Sequence, residues 1–216
     1  MAVLHALAEH TLDVLAPPRA ASRSLRSLTA EALLKLSPRA EKIGADIEAL
    51  FAYRDPLVRR LVWEMKYRTS PRAIALAAEC LAAVLAEEIA ERALFGALSQ
   101  PLIVSIPASP RRARERGDPL ALLASRTASL LGEMCTHTPH TLYKIRDTKP
   151  QTTLRDRAER LRNVVGSFAV RSAASVRGRD VIVLDDVTTT GATLAEARRA
   201  LRAAGVRRVI CVAFAH

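Results

Sequence analysis

Val181-Ile182-Val183-Leu184-Asp185-Asp186-Val187-Thr188-Thr189-Thr190-Gly191-Ala192-Thr193, continuing as LAEARRALRAA to Gly205, is the stretch that decides the fold. Val181 to Leu184 is apolar on both faces, as a central parallel strand must be. Two carboxylates, Asp185 and Asp186, stand at its end. Successive strand residues point to opposite sides, so one acid faces a ligand more directly than the other. Four threonine hydroxyls, a glycine and a small residue follow, and a helix is expected from Thr193 to Ala204 with Gly205 as its stop. Such a loop can fold backbone N–H groups around a phosphate at a helix N-terminus. Carboxylates alone repel phosphate. Carboxylates beside a phosphate cradle imply a ligand with both hydroxyls and a phosphate, and a ribose 5-phosphate fits. The plain alternative is an N-capped strand–helix turn in an unrelated nucleotide-fold protein.

The rest of the chain sets bounds on that reading. Its 216 residues make one large domain, or one domain with an appendage, long enough for a full core. Aromatics are 4 % of it, so the core is expected from Ala, Leu, Val and Ile. The formal charge of +11 suits polyanions or phosphorylated small molecules, although most single arginines outside a motif are expected to be solvated. Cys80, Cys135 and Cys211 have no C-x-x-C spacing, and free thiols fit a reducing cytoplasm. No run reaches the ~18 apolar residues of a spanning helix, and the N-terminus lacks a basic stretch ahead of its apolar one, so neither membrane insertion nor a signal peptide is expected. Cys135, His137 and His140 are a weak zinc signal with no fourth ligand nearby.

Helix is expected over 2–15 and 29–36, giving residues 1–46 the look of a helical appendage. A strand follows at Ile47 to Tyr53, then a helix opened by Pro56 and a long Ala/Leu helix from Pro71 to Leu94. Trp63 is assigned to core packing against the sheet. Leu102 to Ile106 reads as a buried strand, Ser109 to Gly117 as a basic loop, and 119–131 as helix. Residues 144–163 are too charged for a core element and read as a mobile arm or an exposed helix. Val209 to Phe214 closes the sequence of strands. This alternation implies an α/β fold with a mainly parallel central sheet flanked by helices.

The run around Asp185 strongly resembles the PRPP (5-phosphoribosyl-1-pyrophosphate) signature of type I phosphoribosyltransferases. Other pieces narrow the resemblance: Tyr53-Arg54-Asp55-Pro56-Leu57, Lys66-Tyr67, Ile106-Pro107, Pro110-Arg111-Arg112, Arg114-Glu115-Arg116-Gly117, Asp147-Thr148, Gln151, Leu154, Arg160, Asn163 and Gly166-Ser167-Phe168. Over about 47–216 this is similar to the ComF family, phosphoribosyltransferase-like proteins linked in some bacteria to DNA uptake. Two departures stand out. Residues 1–46 contain no cysteine, so the zinc-binding segment common in the family is not expected. Asp118-Pro119-Leu120 replaces the family's Phe-Asn-Gln.

The resemblance implies a type I phosphoribosyltransferase fold with a lid or hood, acting in the cytoplasm on PRPP with magnesium. Asp185 and Asp186 would anchor the ribose, magnesium reaching the site through PRPP and one of these acids. Thr188, Thr189, Thr190, Gly191, Ala192 and Thr193 would hold the 5′-phosphate. Ser109, Arg111 and Arg112 would belong to a pyrophosphate loop, the plain alternative being a solvated basic turn. Gln151, Arg155 and Arg160 would sit on a lid closing over PRPP, against an exposed helix. Lys66-Tyr67 stands open between the substrate side and a solvated helix end. Hypoxanthine/guanine-type relatives place an acid/base aspartate where this chain has Thr189, a poor base near neutral pH. The acceptor is therefore open beyond a small nitrogenous compound. Three functions compete: a phosphoribosyltransferase, a PRPP- or nucleotide-sensing regulator without turnover, and a nucleic-acid-associated competence factor. One Trp, three Tyr and four Phe are few for base stacking, which weakens the third. The oligomeric state is open, a homodimer included.

Overall fold

The computed structural model describes residues 24–40, 47–96, 98–146 and 162–216. Elements follow in chain order: α1 Ser24–Ser27, α2 Ala30–Leu36, β1 Ile47–Phe51, α3 Pro56–Arg68, α4 Pro71–Leu94, β2 Leu102–Ser105, α5 Pro110–Arg116, α6 Pro119–Leu131, β3 Thr136–His137, β4 Leu142–Lys144, β5 Phe168–Val170, β6 Asp180–Val187, α7 Ala192–Ala203 and β7 Arg208–Ala215. The helix expected over 2–15 lies outside the described residues. The one expected over 29–36 is α2, whose Thr29 hydroxyl accepts from the Ala32 amide at 3.2 Å.

β1, β7, β6, β2 and β3 form one sheet in that spatial order, every pairing parallel. Val181 to Leu184 have no exposed surface, which is what a strand covered on both faces requires. The covering can be read from β7. The Cys211 thiol points to the Leu194 carbonyl of α7, whereas Ile210 and Val212 line a small cavity with Val84 and Leu85 of α4. Alternate residues of one strand thus meet helices on opposite sides. Phe51 and Phe214 lock β1 to β7 edge-to-face, with ring centroids 5.2 Å apart.

Proline and polar caps set the helix starts. Asp55 accepts from the Leu57 and Val58 amides at 2.9 and 3.0 Å ahead of Pro56, and the Ser70 hydroxyl accepts from Ala73 ahead of Pro71. At the amino end of β6 the nearly buried Asp180 takes a paired contact from Arg207 at 2.8 and 2.6 Å, which fixes that end of the sheet.

Three expectations are corrected. The basic loop of 109–117 is mostly helix: Pro110 suits the first turn, Arg, Ala and Glu are good helix formers, and Gly117 ends it. Trp63 is not core against the sheet. It lies half-buried beside Tyr67, ring centroids 5.8 Å apart, with the Arg60 and Arg68 guanidiniums 5.2 and 5.3 Å from its ring centre. The charged run of 144–163 begins inside a strand, since Lys144 ends β4, which pairs antiparallel with β5 in a separate two-stranded sheet. Most of that run, 147–161, lies outside the described residues.

Candidate functional site

Register brings the chemistry together. Ser105 of β2 lies opposite Leu184 of β6, and the Ile106 amide donates to the Leu184 carbonyl at 3.0 Å. Asp185 lies opposite Ala213 of β7. The loops leaving β2 and β6 are therefore neighbours at one edge of the sheet, the carboxyl end where open α/β sheets bind ligands. Cavities of about 150 Å³, between β1 and α4, and about 400 Å³, beside Arg207, lie elsewhere.

Asp185 and Asp186 differ as the strand alternation requires. Asp185 is 8 % exposed, and one of its oxygens accepts the Asp186 amide at 2.9 Å. Asp186 is more open, and its Oδ1 takes the Lys66 ammonium at 3.1 Å. Burial pushes the Asp185 carboxyl up, the Asp186 charge adds to the rise, and Lys66 and Lys144 oppose it, leaving it at about 7. Partial burial works against the Lys66 ammonium, but Asp186 and Asp185 outweigh it and hold its pKa above the ordinary lysine value. Lys66, left open by the sequence, thus belongs to the acid pair. It stands in the last turn of α3, which leaves β1 on the far side of β7.

The loop after β6 has the features of an anion cradle. The Thr188 amide is spent on the Ala215 carbonyl at 3.0 Å, and the Ala192 amide reaches the Thr190 hydroxyl at 3.4 Å. The amides of Thr189, Thr190 and Gly191 meet no acceptor among the described residues. Gly191 has φ +74°, a left-handed conformation that glycine adopts without cost, and α7 starts at the next residue. Unspent loop amides and a helix start thus lie within one short turn. The helix begins at Ala192, one residue before the expected start, and ends at Ala203.

Ser109 lies on the neighbouring loop, where its carbonyl opens α5 by accepting the Ala113 amide at 2.9 Å. Arg111 and Arg112 fall in the first turn of α5, and their side chains lie outside what the structure describes. Gln151, Arg155 and Arg160 also lie outside the described residues. No group of three His, Cys, Asp or Glu able to hold a metal occurs among the described residues.

Two carboxylates have supporting roles that the sequence did not assign them. Asp118, at the departure from the ComF pattern, caps α6 by accepting the Ala121 amide at 3.0 Å and also accepts the Ala108 amide of the β2 loop at 3.3 Å. The Asp-Pro pair ahead of an apolar run was the available signal. Asp118→Ala is expected to cost about 1 kcal/mol in urea unfolding, the usual worth of such a cap, with Asp118→Ser restoring most of it. Equal stability of all three would show that the cap carries no load. Glu196, buried in α7, accepts the Gly166 amide at 2.8 Å and pairs with Arg199, tying the segment before β5 to the helix that opens at the cradle. Nothing in the sequence paired Glu196 with Gly166.

Residues 123–216 match the phosphoribosyl transferase domain. The DNA utilization protein YhgH of Salmonella typhimurium is 34 % identical over 156 residues, covering 71 % of this chain and 65 % of the relative, and that of Salmonella typhi matches equally. The chain therefore spans just under two thirds of the length of these curated relatives. Among solved structures, an allosteric regulatory enzyme of purine biosynthesis is similar at 19 % identity over 71 % of this chain and 30 % of that one, with a TM-score of 0.41. A hypoxanthine phosphoribosyltransferase from Staphylococcus aureus is similar at 15 % identity over 65 % and 61 %, with a TM-score of 0.38. By sequence the chain is thus similar to phosphoribosyl transferase domains over 123–216 and, along most of its length, to the YhgH proteins. No helix among the described residues is long and apolar enough to cross a membrane.

Proposed function

We propose that this protein binds PRPP with magnesium at the tips of β2 and β6 and displaces pyrophosphate at ribose C1 with a small nitrogenous acceptor. The observation that carries the reading is the join at one strand tip of an acid pair and a loop with unspent amides. Asp185 and Asp186 accept hydrogen bonds from the ribose hydroxyls. Thr188 to Thr193 surround the 5′-phosphate. Ser109, with Arg111 and Arg112, meets the diphosphate from the neighbouring loop, and Gln151, Arg155 and Arg160 cover it. The chemistry of the donors fits magnesium: carboxylate oxygens are hard ligands, and Asp185 or Asp186 would hold an ion that PRPP brings. Bound there, magnesium would offset the charge of the leaving group. In the reaction the acceptor nitrogen forms a bond to C1, the C1–O bond breaks, pyrophosphate leaves with the electron pair, and the nitrogen sheds its proton.

A second reading, a PRPP sensor without turnover, has one observation in its favour. Asp118 occupies the Ala108 amide, a donor that the diphosphate would otherwise find on the β2 loop. Pyrophosphate release across a panel of amines and nucleobases separates the two. Release with at least one acceptor, lost in the Asp185→Asn/Asp186→Asn variant, supports the enzyme. Silence across the panel alongside measurable PRPP binding supports the sensor. A role beside nucleic acid, suggested by the relatives' name, predicts steeply salt-dependent binding of single-stranded DNA, and no binding at low salt removes it.

A further inference from the structure

The Lys66 ammonium lies 3.1 Å from Asp186 Oδ1, with the lysine side chain 26 % exposed and the aspartate 18 %. We propose that Lys66 is an internal counter-cation that keeps free divalent metal off the acid pair, so that magnesium enters only together with PRPP. The proposal rests on the PRPP reading for the second half of that statement alone.

Two adjacent carboxylates at a strand tip are a natural lure for a divalent ion, and an empty site that filled with metal would have its charge spent before the ligand arrived. Lys66 answers this with a charge-assisted hydrogen bond to the more open acid. A free divalent ion must displace that ammonium, or lie beside it and meet its repulsion. PRPP changes both terms. Its diphosphate brings oxygen ligands for the metal, and its anionic oxygens give the ammonium a new partner. The lysine is placed for such a move. It sits in the last turn of α3, which stops at the left-handed Thr69, and its side chain is a flexible four-carbon stem. Among the other charged groups, Asp185 also attracts Lys66, and Lys144 acts on Asp185.

Manganese alone is the probe, titrated without PRPP at about pH 8, where protons no longer compete for carboxylates, with free ion read by electron paramagnetic resonance. Wild type and Lys66→Arg are expected to bind it weakly, and Lys66→Met to bind it about tenfold or more tightly, the worth of one charge-assisted hydrogen bond. Adding Asp186→Asn to Lys66→Met should cancel the gain. If Lys66→Met loses cooperative unfolding, Lys66→Gln takes its place. Equal manganese affinity in wild type and the neutral variants overturns the proposal, as does a gain that survives Asp186→Asn. Failure of the PRPP reading would appear separately, as wild-type manganese binding that PRPP does not enhance.

Discussion

Replacing Asp185 and Asp186 together by asparagine is expected to abolish the stabilisation that PRPP with magnesium gives the wild type. A ligand at a hundred times its Kd adds about 2.7 kcal/mol to the folded state, roughly 5–10 °C in melting temperature for a chain of this size. Asparagine preserves shape and keeps an oxygen for the Asp186 and Val187 amides, both of which donate to these side chains. It removes the charge that draws ribose hydroxyls and metal. The apo variant should therefore fold while its thermal transition ignores the ligand. Replacing only Thr190 should leave a smaller shift, since the backbone amides of the cradle remain. An undiminished shift in the double variant would mean that PRPP is held elsewhere.

The second large effect is on stability against pH. Asp185 stands at about 7 in the folded protein, chiefly through burial. In the unfolded chain it titrates near the ordinary carboxylate value of about 3.9. Between about pH 4 and 7 the folded state thus holds a proton that the unfolded chain has released, so unfolding free energy falls as pH rises through that window. The loss from this one group is at most about 4 kcal/mol, complete above pH ~7. Asp185→Asn removes it. The variant is expected to be more stable than wild type at pH ~8, with the difference shrinking to a minimum below pH ~4. Urea unfolding of the two proteins across the range checks this, and a difference independent of pH contradicts it. Apo protein above neutral pH therefore carries an unfavourable buried charge at Asp185, which a cation held at the acid pair would offset.

Most of the architecture was legible because its signals are local. Pro56 and Pro71, each behind a capping Asp or Ser, announce two helices, and the structure starts them there. Val181 to Leu184 announces a doubly covered strand, and it is one. The misreadings have physical causes. Arg and Glu in 109–117 suggested solvent and hid a helix, although Pro110 and Gly117 marked both its ends. The strands β4 and β5 are three residues each and pair across the charged arm, too short for a period of two to register. Trp63 was assigned to the core, but Arg60 and Arg68 give it a half-buried, cation-lined place beside Tyr67.

The site shows the same division. Asp185, Asp186 and Thr188 to Thr193 are contiguous, so sequence could name them together. Lys66 and Asp118 reach the strand tips by tertiary contact from α3 and the start of α6, and Glu196 meets Gly166 from α7; a linear pattern carries no record of such meetings. Lys66 was visible only as half of a family motif with an undecided side, and the pairing with Asp186 decides that side.

The most direct measurement is a crystal structure of the protein with PRPP and magnesium. The account predicts the 5′-phosphate within hydrogen-bonding distance of the Thr189, Thr190 and Gly191 amides and the ribose hydroxyls on Asp185 and Asp186. A phosphate bound away from that turn, with Asp186 still paired to Lys66, would contradict it.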